Sequence, residues 1–326
     1  MRNAAISFAL LVSTLGLSAC TVAHGVEPGE DALGEVDETV DEGDEALGEV
    51  DEMLGESQQA LVGVAPFTAR YSGSFGDTGW CIADLGIHGY APTSPGKHPV
   101  FIYTVGTFGQ YDATEADTIV REMARRGFIA ASIEYPNGLG WSCDQLRNKA
   151  SCAYSPWIGA SAVSRLCGRV DADCWKGIVV GGMSQGSMMA LLAKNYDWRV
   201  NGAWLMGATD AFGLFGACVD NGFRLLSGDH VRAINGERDV FANQSTLQVI
   251  TGNFCAAGEQ SCLRPNGSGW YTVRDSQVQD GEADHCYYTT GGCTNEPTLD
   301  TGWAPPASTP WSLDTNLDWL AQFANP

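Results

Sequence analysis

Residues 176 to 194 read Lys-Gly-Ile-Val-Val-Gly-Gly-Met-Ser-Gln-Gly-Ser-Met-Met-Ala-Leu-Leu-Ala-Lys, a stretch that leaves the backbone little choice. Ile178 to Val180 are β-branched and apolar, as a strand covered on both faces requires. Met188, Leu191 and Leu192 repeat at helical spacing just behind it. Between the two lies Gly182-Met183-Ser184-Gln185-Gly186, so the chain passes from buried strand to helix within a few residues. A turn that sharp strains its central residue and leaves no space for side chains at the flanking glycines. Ser184 then projects from the C-terminal edge of a sheet, beside the positive end of the helix. The simpler alternative is a glycine turn whose serine only caps the helix.

Upstream and downstream, the pattern repeats. Pro99 to Val105 is a dense apolar strand, Ala113 to Arg126 a helix stopped by Gly127, and Phe128 to Tyr135 a further strand with Pro136 beyond it. Val200 to Met206 and the start of His230 to Phe241 read as core strands, and Trp270 to Val273 as the last strand. Strands alternating with helices at this spacing call for a parallel sheet covered on both sides. Ala60 to Tyr71 and Trp80 to Tyr90 read as two earlier strands. Tyr154 to Leu166 reads as a crossing helix, Ser245 to Phe254 as a surface segment either helical or extended, and Leu313 to Phe323 as a closing amphipathic helix.

With these elements in place, the Gly-x-Ser-x-Gly turn resembles the nucleophile elbow of the α/β-hydrolase superfamily, and the resemblance extends from about Pro99 to Tyr288. It implies an α/β fold with a mostly parallel central sheet flanked by helices, and a serine hydrolase acting on carboxylic esters without metal or organic cofactor. The superfamily orders its residues as nucleophile, acid, histidine, which here selects Ser184, Asp239 and His285. Asp239 follows the strand beginning near His230, with Asp210 as the alternative acid, and His285 lies past the last strand. The oxyanion hole is assigned to the backbone at Gln185 and at Gly106 and Thr107, in the glycine-containing loop after the Pro99 strand. That loop lacks the HGGG pattern of one large esterase group. Phe108, Trp141, Phe212, Phe215 and Trp270 are candidates for an apolar substrate pocket. A lipase or polyester depolymerase, a carbohydrate-ester esterase, a peptidase and a non-catalytic surface binding protein on the same scaffold are the competing readings.

The N-terminus bears on where such a protein works. Met1-Arg-Asn precedes an apolar run from Ala4 to Leu17, too short for a membrane span and shaped like an export signal. It ends in Leu17-Ser-Ala-Cys20, which resembles a bacterial lipoprotein box and makes Cys20 a lipidation site, with the outer membrane or cell surface as destination. Ordinary secretion or a periplasmic location is the alternative. Residues 1–20 are thus a signal peptide, 21–59 an acidic tether and 60–326 the catalytic domain, with no second domain. The tether carries a 14-residue repeat, Asp31 to Glu38 and Glu45 to Glu52, too poor in apolar residues to build a core.

The formal charge of -21 is concentrated in that tether, where 14 acidic residues between Glu27 and Glu56 have no basic neighbour. No basic stretch is available for a nucleic-acid backbone, so the expected partners are a small or polymeric ester and, through the lipid, a membrane. Cys20 aside, ten cysteines in an exported chain favour five disulfides. Close spacing favours Cys143–Cys152, Cys167–Cys174, Cys255–Cys262 and Cys286–Cys293, leaving Cys81–Cys218 as the long bridge.

Overall fold

The computed structural model describes residues 62–73, 81–138, 142–209, 218, 224–294 and 297–325. They belong to one compact unit, Ser57–Pro326. Residues 1–20, with Cys20, and residues 21–59, expected to be a signal peptide and an acidic tether, lie outside the described residues.

The first two strands, β1 (Val64–Gly73) and β2 (Ala83–Pro92), form an antiparallel hairpin, and β2 lies antiparallel against β4 (Ile129–Ile133). From β4 inward the sheet is parallel. It passes through β3 (Val100–Thr104), β5 (Ile178–Met183), β6 (Val200–Met206), β7 (Val231–Gly236) and β9 (Gly269–Val273), with β8 (Ser261–Leu263) antiparallel at the far edge. Every residue of β3, β4, β5 and β7 is buried, which is why these strands are continuous apolar runs rather than alternating ones. A two-stranded ribbon, β10 (Thr289–Thr290) with β11 (Thr298–Leu299), stands apart from the large sheet. The described helices are α1 (Thr114–Arg125), α2 (Cys143–Tyr154), α3 (Ala162–Cys167), α4 (Gln185–Leu192), α5 (Gln244–Thr251) and α6 (Leu313–Ala321). The mostly parallel central sheet with helices anticipated from the sequence is present.

Strand β3 has β4 on one side and β5 on the other, so the order of crossing reverses there. Open parallel sheets bind ligands at such a reversal, beyond the C-terminal ends of the strands. The loop after β3 and the turn after β5, which carries Ser184, meet at this point.

Two expectations need correction, and the Ser245 to Phe254 segment takes the helical one of its two expected forms. The single crossing helix over Tyr154 to Leu166 is instead two helices. Ser142 opens α2 with a reciprocal cap to Gln145, the chain turns through Ser155-Pro156, and the Ser161 side chain starts α3 by accepting the Ser164 N–H. Proline is tolerated poorly inside a helix, so the break falls where Pro156 sits. The Ser245 to Phe254 segment is a helix closed by Gly252 in the left-handed region at φ 62°. The bridges Cys143–Cys152 and Cys81–Cys218 are replaced by Cys81–Cys152 and Cys143–Cys218. Cys143 and Cys152 stand at positions nine apart in α2, about 13 Å along its axis at 1.5 Å per residue, beyond the reach of a disulfide. The other three bridges pair as expected. Five disulfides fit an oxidising setting outside the cytoplasm.

Candidate active site

The turn after β5 has the strain its sequence requires. Ser184 adopts φ 53° and ψ -120°, one of two described non-glycine residues at positive φ. Its backbone N–H is held by the Met206 carbonyl of β6 at 2.9 Å, and its carbonyl accepts the Ser187 hydroxyl and N–H. A Cβ on Gly182 would stand 2.3 Å from the Gly186 carbonyl oxygen, and one on Gly186 would stand 2.1 Å from that of Thr104. Both glycines are therefore steric necessities. Although Ser184 occupies the N-cap position of α4, its side chain makes no capping bond. The hydroxyl is not spent on the helix, contrary to the simpler alternative.

The other positive-φ residue is Phe108, at φ 62°, in the loop after β3. Asn137, following β4, fixes that loop. Its amide donates to the carbonyls of Gly106 at 2.8 Å and Gly109 at 2.7 Å, while its own carbonyl accepts the Phe108 N–H. Gly106 lies so close to the turn that a Cβ there would approach Met183 Sδ to 2.7 Å and Ser184 Cβ to 3.2 Å. The backbone N–H groups of Gln185 and Thr107 have no acceptor among the described residues. The Gln185 side chain is also tied in, accepting from Lys149 Nζ at 3.2 Å and donating to the Thr107 hydroxyl at 3.4 Å.

Across the cleft, Asp239 sits in the turn after β7 with its side chain wholly buried. Oδ2 takes a hydrogen bond from the Asn235 amide at 2.8 Å and meets His285 Nδ1 at 2.8 Å, while Oδ1 accepts the Phe241 N–H at 2.9 Å. Asn235 simultaneously exchanges two bonds with the backbone of Ala208, just past β6. It therefore locks the acid to the neighbouring strand end. These contacts fix the carboxylate in place and orient the imidazole with Nδ1 toward it. His285 packs edge-on against Phe241, with ring centroids 4.7 Å apart. Gly207, at φ 52°, leaves the imidazole its space, because a Cβ there would be 2.9 Å from Cε1. The Cys286–Cys293 disulfide and the bonds of Thr289 to the carbonyls of Cys286 and Gly292 hold the loop that follows.

Ser184 and His285 line one cavity of about 560 Å³, together with Thr107, Gln185 and Phe108. Neither the Ser184 hydroxyl nor His285 Nε2 has a hydrogen-bond partner among the described residues, and they do not bond to each other. Other described histidines are committed elsewhere. His88 pairs with Asp117, while His98 and His230 bond backbone carbonyls and precede β3 and β7, at the opposite sheet edge.

Phe108 lines the cavity and is 63% exposed. Trp270 lies elsewhere. It is fully buried in β9, its indole N–H donates to the Asn253 carbonyl at 2.9 Å, and it takes no part in the cavity. The apolar demand of a central strand, not of a ligand, accounts for it. Asp210, Trp141, Phe212 and Phe215 lie outside the described residues. Sequence reasoning missed Asn235, Asn137, Phe241 and Glu115. Asn235 immediately precedes a strand-ending glycine, a position whose short amide could have pointed to a buried turn bond.

Glu115, in the first turn of α1, also lines the cavity. Burial raises its carboxyl to about 7, although the Tyr103 hydroxyl donates to Oε1 at 3.1 Å and acts in the other direction. The unfolded chain releases this proton near 4.5, so below that pH the native proton costs nothing. Between 4.5 and about 7 the folded state binds more protons than the unfolded one, and stability falls as pH rises. Glu115→Gln removes that slope. Denaturant midpoints across this window should decline more steeply with pH in the wild type than in the variant.

No family model matches the sequence, and neither does any curated protein. Among solved structures, one similar chain is a cold-adapted esterase from an Arctic intertidal metagenomic library, at 11% identity and TM-score 0.49, covering 80% of this chain and 95% of that one. Another is a hypothetical protein of Pseudomonas aeruginosa, at 17% identity and TM-score 0.35 over 45% of this chain. The chain spans 44% of the length of that second neighbour.

Proposed function

We propose that the chain is an α/β-hydrolase-type serine hydrolase that cleaves carboxylic esters through an acyl-enzyme. The observation that carries the reading is the joint placement of a strained, uncapped serine and a carboxylate-anchored imidazole on one cavity at the sheet's reversal point. In this scheme His285 Nε2 removes the Ser184 proton as Oγ attacks the ester carbonyl. Asp239 holds the tautomer and stabilises the imidazolium. The tetrahedral oxyanion is received by the N–H groups of Gln185 and Thr107, which are otherwise unemployed and sit on the two loops that meet at Ser184. His285 then protonates the departing alcohol, and a water activated by the same imidazole releases the acid. Nothing in the scheme requires a metal.

Lipidation at Cys20 and the tether of residues 21–59 complete the proposal, placing the domain on an outer membrane or cell surface. The test is direct. A biotinylated fluorophosphonate should modify the folded chain stoichiometrically, and peptide mass spectrometry should find the adduct on Ser184. An unlabelled protein, or a label on a different serine, removes the reading.

A further inference from the structure

The cavity beside Ser184 is mostly apolar at its surface, yet one of its walls is a carboxyl group with a single side-chain partner. Glu115 is only 8% exposed and receives the Tyr103 hydroxyl at Oε1, with the Ala116 backbone N–H nearby. Around it stand Tyr103 from β3, Tyr288 from the loop after His285, and His285 across the cavity. No arginine or lysine neutralises it among the described residues. A structural acid would be enclosed and fully paired, whereas this one opens on the space a substrate would fill.

Resting on the ester-hydrolase reading, we propose that Glu115 is a specificity residue. It donates a hydrogen bond from its neutral carboxyl to a second acceptor oxygen of the substrate, an ether or a further ester carbonyl set along the chain from the scissile bond. The substrate class is then an oxygen-interrupted ester, of the kind an oligoester presents, rather than a plain hydrocarbon acyl chain. Burial keeps the proton on Glu115 up to about 7, which is what makes donation to a carbonyl or ether feasible near neutrality. Tyr103 occupies Oε1, which leaves Oε2 as the oxygen to carry the donated proton.

Two isosteric substrate pairs test this. On the acyl side, p-nitrophenyl hexanoate is compared with analogues in which oxygen replaces one methylene at successive positions. On the alcohol side, butyl butanoate is compared with 2-methoxyethyl butanoate. One series should show a kcat/KM preference for the oxygen-containing member of about tenfold, the usual worth of one buried neutral hydrogen bond. Glu115→Met should erase the preference. Glu115→Gln, whose amide still donates, should retain it. In the wild type the preference should decline as pH rises through about 7, because the carboxylate repels an acceptor oxygen, whereas the Gln variant stays level. The ratio cancels any pH effect on the shared acyl-transfer step, which acts on both members alike. Fluorophosphonate labelling of Ser184 in each variant reports an intact fold and a working nucleophile. Labelled, active variants with an unchanged ratio in both series overturn the subsite and leave the hydrolase reading intact. A wild type that neither labels nor turns over overturns both.

Discussion

Replacing Ser184 by alanine should lower kcat for p-nitrophenyl butanoate by about a million-fold, the scale found when a hydrolase nucleophile is removed. The melting temperature should hardly move. The reason lies in how little the side chain contributes to the fold. Its hydroxyl makes no helix cap and no other bond among the described residues, so alanine removes chemistry without removing a contact. The strained φ of 53° is imposed by Gly182, Gly186 and the bond to Met206, and alanine bears it as serine does. Asp239→Asn behaves differently. It should cost about ten-thousand-fold in kcat, because an amide presents the wrong partner to Nδ1 and favours the unproductive tautomer. It also disturbs a wholly buried oxygen shared by Asn235 and His285, so its thermal transition should fall where that of Ser184→Ala does not. Circular dichroism melts alongside stopped assays separate the two. Retention of a tenth of wild-type activity in Ser184→Ala would dismiss the nucleophile.

The features legible in the sequence share a physical cause: each imposes a local restriction severe enough to leave a compositional mark. A strand buried on both faces must be apolar throughout, so β3 and β6 could be outlined to within a residue or two and β5 to within three. A turn with no room for Cβ atoms must have glycines, so the site of Ser184 was visible. Asp239 and His285 could be found from order along the chain, and the structure brings them within 2.8 Å. What stayed hidden depends on contacts between distant segments. Asn137 and Asn235 each satisfy carbonyls from another loop, and a single asparagine at or beyond the end of a strand leaves no periodic trace. Glu115 looks like an ordinary acid in a helix first turn until packing closes around it. Trp270 shows the converse error, since an aromatic residue near the site is as readily core as pocket wall. The disulfides divide in the same way. Bridges spanning seven residues followed spacing, whereas those spanning 71 and 75 depended on α2 keeping its two cysteines apart.

Gly186→Ala should be among the most damaging single methyls that can be added near the site, lowering stability by about 3 kcal/mol, the upper range for overpacking a closed interior. The added Cβ would meet three backbone atoms, Thr104 O at 2.1 Å, Val105 O at 2.4 Å and Thr104 C at 2.6 Å. None of them belongs to a flexible side chain, so relief requires moving β3 away from α4. That displacement is opposed by the sheet bonds of β3 to β4 and β5 and by the Thr104 hydroxyl, which donates to the Gly186 carbonyl at 2.8 Å. For a domain of this size the loss corresponds to a fall in melting temperature of about 8 °C. Activity should suffer as well, and by a route distinct from Ser184→Ala. Moving the end of β3 shifts Gly106 and Thr107 relative to Gln185, and so separates the two N–H groups to which the proposed scheme assigns the oxyanion. The variant should therefore still react with a fluorophosphonate, slowly, while its kcat falls by about a hundred-fold, the scale of losing one oxyanion donor. A Gly186→Ala protein that melts and turns over like the wild type would show that the contact between helix and strand is not what fixes the geometry of this turn.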